Sequence, residues 1–119
     1  MPYTYDDQNI FAKILRGEIP NDTVAETDHT LAFNDVGPQA PVHVLIIPKR
    51  EIATLNDLTD ADAEVVGKLH LVAAKIAREK GIAEDGYRVV MNCNGQGGQS
   101  VYHIHLHLMG GRQMSWPAG

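Results

Sequence analysis

The chain has 119 residues, 44% of them hydrophobic and 21% charged, which suits one domain with a buried core and is too apolar for a disordered segment. Ten basic against fifteen acidic residues leave a net charge of −5, which argues against polynucleotide binding, where a basic excess is the rule. The single cysteine, Cys93, excludes an internal disulfide and suits a reducing compartment. No apolar run nears the ~18 residues of a membrane span, and no basic-then-apolar leader opens the chain, so the expectation is a cytoplasmic protein without membrane association.

Residues 1–8 are polar and are expected to fray, with one domain over residues 9–119. From Asn9 the pattern turns helical, with Ile10, Phe11, Ile14 and Leu15 on one stripe and Gly17 as a stop. Thr23–Glu26 and Thr30–Asn34 read as strands around a turn at Thr27-Asp28-His29. After the rigid Gly37-Pro38-Gln39-Ala40-Pro41 loop, Val42, Val44 and Ile46 alternate with His43, Leu45 and Ile47, a strand that Pro48 ends. Thr59 opens the longest helix with Asp62 as an acidic variant of the capping box. Val65, Val66, Leu69, Val72, Ala73 and Ile76 form its apolar stripe, and Gly81 ends it. Tyr87–Asn92 is the next strand, 94–99 a glycine-rich loop, and Tyr102–Met109 the last strand. Strands on short turns around one long helix predict an α+β domain with a mainly antiparallel five-stranded sheet.

His103-Ile104-His105-Leu106-His107-Leu108-Met109 carries the strongest chemical signal. On a strand, His103, His105 and His107 share one face, roughly 6.5–7 Å apart along the chain, while Ile104, Leu106 and Leu108 face the core. Three imidazoles so placed suit either a zinc site or a nucleophile with charge-binding and proton-moving neighbours. The preceding run, Asn92-Cys93-Asn94-Gly95-Gln96-Gly97-Gly98-Gln99-Ser100, offers backbone N–H groups and a hydroxyl for an anion. It offers no carboxylate to orient metal-bound histidines. That favours phosphoryl chemistry. His29 and His70 fall on a turn and a helix, outside the cluster.

Gly97-Gly98-Gln99-Ser100-Val101-Tyr102-His103-Ile104-His105-Leu106-His107-Leu108 resembles the signature of the histidine-triad (HIT) superfamily. Segments around Ile10–Ile14, Glu18–Pro20, Ala32–Asp35, Pro38–His43, Ile47–Lys49 and Gly111–Pro117 look like its Hint branch, small homodimeric purine nucleoside phosphoramidases. The resemblance implies a HIT fold whose sheets join across a homodimer. It implies cleavage of the P–N bond of purine nucleoside 5′-monophosphoramidates, without metal or cofactor, through a nucleotidyl-histidine intermediate. His105 is then the nucleophile, His107 lies by the leaving group and phosphoryl oxygens, His103 supports them, and His43 joins a proton relay. Asn92, Gly98 and Ser100 match phosphate and leaving-group contacts. Asp35 matches the ribose acceptor, and Phe11, Ile14, Ile19 and Phe33 match an apolar slot for the base. Trp116, with the C-terminal tail, would reach the partner's site.

Some bacterial relatives bind structural zinc through a cysteine pair before the first helix; those positions here look like Asn9 and Ala12, so no zinc is expected. Three rivals stand beside this reading. They are a dinucleoside polyphosphate hydrolase or nucleotidylyltransferase of the same fold, a nucleotide-binding regulatory or scaffold protein, and a tri-histidine metalloenzyme.

Overall fold

A computed structural model describes residues 4–119. Five strands, β1 (Thr23–Glu26), β2 (Thr30–Asn34), β3 (Val42–Pro48), β4 (Tyr87–Val90) and β5 (Leu106–Gly110), form one sheet. Its order is β1-β2-β3-β5-β4, with every neighbouring pair antiparallel. Helix α1 spans Ile10–Leu15, helix α2 spans Ala63–Glu79, and a single turn, α3, spans Asn94–Gly97.

Side-chain alternation along the central strands divides the core in two. Ala32, Val44, Ile46, Leu106 and Leu108 pack with Leu69, Ala73, Ile76 and Ala77 of α2. Leu31, Phe33, Leu45 and Ile47 face the other way and pack with Phe11 and Ile14 of α1. The six residues of α1 are too few to hold a helix by propensity. The Asn9 side chain caps it by accepting from the Ala12 N–H at 2.9 Å, Gly17 follows at φ +78, and the two apolar anchors fix it. Ile10 does not join them; it is 47% exposed.

The box at the start of α2 forms as expected: the Asp62 carboxylate accepts from the Thr59 N–H at 2.9 Å and the Thr59 hydroxyl at 3.2 Å. The first turn, Asp60–Asp62, is 3-10. At the N-terminus, Tyr5 and Asp6 make side-chain contacts within the stretch expected to fray. The Tyr5 hydroxyl meets His103 Nδ1 at 2.7 Å, and the Asp6 side chain accepts from the Gln8 N–H at 2.9 Å. The part of that expectation on residues 1–3 lies outside the described residues.

Two elements differ from their sequence reading. The last strand begins at Leu106, not Tyr102. Its partner β3 ends at Pro48, whose carbonyl is bonded to the His103 ring at 2.7 Å. The Ile104 N–H turns to the Ile52 carbonyl at 2.8 Å, so the ladder stops at Leu106↔Ile46. His103 and His105 therefore lie in an irregular approach to the strand. The glycine-rich run folds as α3, between Asn94 at φ +58 and Gly98 at φ +83. Its strand neighbour β4 ends at Val90, two residues short of Asn92.

Candidate active site

The face of the sheet that carries α1 also carries the histidines. Register sets His107 of β5 opposite Leu45 of β3, with His43 opposite Met109 two positions along. His43 and His107 thus lie diagonally across one antiparallel pair, where side chains reach each other. Their rings are bonded Nε2 to Nδ1 at 3.0 Å. The His105 ring lies 5.0 Å from that of His107, and Phe11 meets His105 edge-on at 5.0 Å. His43, His103 and His105 are buried; His107 is half-buried. Although the strand is shorter than expected, the three triad rings remain neighbours. Ile104, Leu106 and Leu108 still point into the opposite core.

The hydrogen bonds fix which nitrogen carries each proton, because a backbone carbonyl only accepts and an N–H only donates. His105 Nδ1 lies 2.8 Å from the His103 carbonyl, so its proton is on Nδ1 and Nε2 holds the unshared pair. His103 Nε2 donates to the Pro48 carbonyl. The Gln39 N–H donates to His43 Nδ1 at 3.0 Å. His43 therefore carries its proton on Nε2, where it points to His107 Nδ1 and lies 3.4 Å from Asp35 Oδ2. His107 in turn is left with Nε2–H as its outward donor.

Burial favours the neutral ring in all three triad residues. It lowers the basicity of His105 against the opposing pull of the His103 carbonyl and Asp35. It lowers that of His103 against the Pro48 bond. For His107, burial and then the neighbouring charges of His105 and His43 bring the pKa down to about 4. At neutral pH the three triad rings are therefore uncharged imidazoles with ordered protons.

Asp35 sits at this network, its Oδ1 accepting from the Gly37 N–H at 2.7 Å. Phe11, Ile14, Phe33 and the half-buried Ile19 form one apolar cluster beside the histidines, with Phe11 edge-on to Phe33 at 5.5 Å. On the loop, the Gly98 N–H bonds the Gly95 carbonyl at 3.1 Å, and the chain turns there at φ +83. Among the described residues nothing takes up the N–H or hydroxyl of exposed Ser100. Trp116 does not join its own chain's cluster. It is 82% exposed and stacks at 6.0 Å over Arg88 of the edge strand β4, which also donates to the Ser115 carbonyl at 2.8 Å. His29 and His70 are exposed.

Two residues of this site carry roles that sequence reasoning did not assign. Gln99 is buried and clamps the loop. Its amide donates to the Ala53 and Val101 carbonyls at 2.8 and 3.0 Å, and its oxygen accepts from the Asn94 N–H at 2.9 Å. Tyr5 holds His103. Gln99 lies inside the glycine-rich run, where a buried amide leaves no compositional trace; Tyr5 lies in a stretch whose polarity reads as solvated.

Among the described residues one group could hold a metal ion: Asp35, His43 and His107, whose ligand atoms lie within 4.8 Å of one another. They fit a cation poorly, since a ligating imidazole must present a lone pair. The His43 Nε2 proton occupies the space between the two rings, while the Nδ1 lone pair already accepts from Gln39.

Fold and site together define a class: a model of the HIT domain matches residues 16–114, and the chain belongs to the HIT domain family. Its relatives are close. It is 54% identical over 108 residues, 91% of each chain, to the purine nucleoside phosphoramidase of Escherichia coli strain K12. It is 50% identical over 116 residues, 96% of this chain and 90% of the other, to a protein of Zea mays named a 14 kDa zinc-binding protein. A HIT family hydrolase from Legionella pneumophila superposes with a TM-score of 0.91 at 55% identity, covering 92% of this chain and 98% of that one.

Proposed function

We propose that this protein hydrolyses the P–N bond of purine nucleoside 5′-monophosphoramidates with His105 as nucleophile. The observation that carries the reading is the bond from His105 Nδ1–H to the His103 carbonyl, which leaves an unprotonated Nε2 on a ring that burial keeps neutral. The similarity to a purine nucleoside phosphoramidase over nine-tenths of the chain supports the substrate class.

In the first step His105 Nε2 bonds to the α-phosphorus, the P–N bond breaks, and the amine leaves with a proton drawn from the histidine network. In the second, water displaces His105 from phosphorus and returns that proton, releasing the nucleoside monophosphate. His107 Nε2–H is the donor directed at the phosphoryl oxygens and departing nitrogen, where negative charge grows, so it stabilises the transition state more than the ground state. His43, oriented by Gln39 and Asp35, supplies the ordered proton behind it. No metal is needed for this sequence.

Asp35 can accept the ribose hydroxyl protons, and the Phe11–Ile14–Ile19–Phe33 cluster flanks the base. Asn92, Gly98 and Ser100 contact the phosphate or leaving group. A homodimer accords with the open β4 edge, where Tyr87 and Trp116 are exposed and a partner strand could extend the sheet. The tail would then act at the partner's site. A cytoplasmic location accords with the single cysteine; no helix of the described residues is long and apolar enough to cross a membrane.

Turnover of an adenosine 5′-phosphoramidate and of a diadenosine polyphosphate, compared on one preparation, tests the substrate class. The proposal requires a higher kcat/KM for the phosphoramidate, and a preference for the polyphosphate overturns it.

A further inference from the structure

The segment that delivers the nucleophile has little regular structure. Between α3 and β5 the Ile104 N–H bonds the Ile52 carbonyl, and the Gln99 amide clamps the loop to the Ala53 carbonyl. What fixes His105 is the carbonyl of His103, and what fixes His103 is its ring. That ring is fully buried, with one bond at each nitrogen: Nε2 to the Pro48 carbonyl and Nδ1 to the Tyr5 hydroxyl, both at 2.7 Å. Since Pro48 can only accept, Nε2 carries the proton, Nδ1 is the acceptor, and the Tyr5 hydroxyl donates. The two rings also meet edge to face at 5.7 Å.

We propose that Tyr5 is a positioning residue for catalysis: its hydroxyl locks the ring of His103, and through it the His103 carbonyl that aims His105. The inference rests on the assignment of His105 as nucleophile. Its physical basis is the cost of leaving a buried acceptor unmade. Without the hydroxyl, Nδ1 of an enclosed ring has no partner, and the His103 side chain gains by turning or by drawing water in. Either movement carries the backbone of residue 103 with it. The His105 Nδ1–H then loses its aligned acceptor and Nε2 its angle to phosphorus, where an error of about 1 Å costs up to ~10²-fold in rate. The polar lead before α1 thereby becomes part of the active-site scaffold.

The test uses Tyr5→Phe in the full chain, which keeps the ring and removes the donor, with Tyr5→Leu as a second variant lacking both. The rate of nucleotidyl-His105 formation from an adenosine phosphoramidate is read by rapid quench and mass spectrometry. AMP affinity is read by calorimetry, and the His103 ring by 15N spectroscopy of histidine-labelled protein. We expect both variants to form the intermediate about tenfold more slowly with AMP affinity held within about twofold. In Tyr5→Phe the His103 Nδ1 resonance should move toward that of an unbonded ring nitrogen while Nε2 stays protonated. A rate in Tyr5→Phe equal to that of the unaltered protein overturns the proposal. So does an unmoved Nδ1 resonance, or a loss of AMP affinity in proportion to rate, which marks general disorder. If the unaltered protein forms no nucleotidyl-His105, the nucleophile assignment fails instead, and the 15N spectrum still reports whether Tyr5 bonds His103.

Discussion

Acidification from pH 7 to 4.5 should destabilise this protein through His107 in a way that one substitution can isolate. The ring titrates near 6.5 when unfolded and at about 4 in the fold, chiefly because burial disfavours its charged form. Between those values the unfolded chain holds more protons than the native one, so stability rises with pH across this window and falls on acidification. Above 6.5 both states are neutral and the contribution is constant; below about 4 both are charged and the loss is complete. A fully enclosed ring would lose about 2.5 kcal/mol at pH 4.5, at 1.36 kcal/mol per tenfold difference in proton affinity. His107 is half-buried, and solvent screening reduces the expected loss to roughly 1 kcal/mol. Urea unfolding of the unaltered protein and of His107→Gln at pH 7, 6, 5 and 4.5 separates this from carboxylate titration, which both proteins share. The unaltered protein should lose about 1 kcal/mol more than the variant. Parallel curves would refute the argument, as would extra stability gained on acidification. The same neutrality should place the acid limb of kcat/KM below 6.5, as a property of the coupled cluster rather than of one ring.

Gln99→Leu removes the loop clamp and leaves the buried Ala53 carbonyl without the Gln99 amide donor. It should cost about 1–3 kcal/mol in urea unfolding and raise KM for the phosphoramidate as the phosphate loop loosens. Asp35→Asn keeps the shape but removes the charge beside His43. We expect kcat and KM for a ribonucleotide substrate both to worsen, by about tenfold in kcat/KM, with a smaller effect on a 2′,3′-dideoxy substrate. Exhaustive chelation should leave kcat unchanged; activity lost to the chelator would favour a metalloenzyme.

The sheet was legible where its chemistry is local. β1, β2 and β3 coincide with their predicted bounds, because alternation and a terminal proline are properties of the segment itself. The final strand was not. Its alternating pattern runs back to Tyr102, but the length of a strand depends on its partner, and the ladder with β3 stops at Leu106↔Ile46 while the Ile104 N–H goes to the Ile52 carbonyl instead. The glycine-rich run shows the same limit in reverse: intrinsic preference reads it as loop, while tertiary bonds to Gln99 shape it into a turn of helix. The triad survived because its pattern, three histidines at alternate positions against three apolar residues, still sorts the faces when the ladder has ended. The proton positions of His43 and His103 were beyond sequence, since they follow from single contacts to Gln39 and Pro48. The contact of Tyr5 was beyond sequence for the same reason: its hydroxyl lies 2.7 Å from a buried ring, and a polar composition does not record that.

Transfer of the nucleotidyl group from a phosphoramidate to His105 Nε2 is the step on which the proposed function depends. Mixing the protein briefly with an adenosine 5′-phosphoramidate, quenching, and mapping the added mass by peptide sequencing tests it directly. The account predicts an adenylyl group on His105, absent in His105→Ala. Adduct on another residue, or full turnover by His105→Ala, would contradict it.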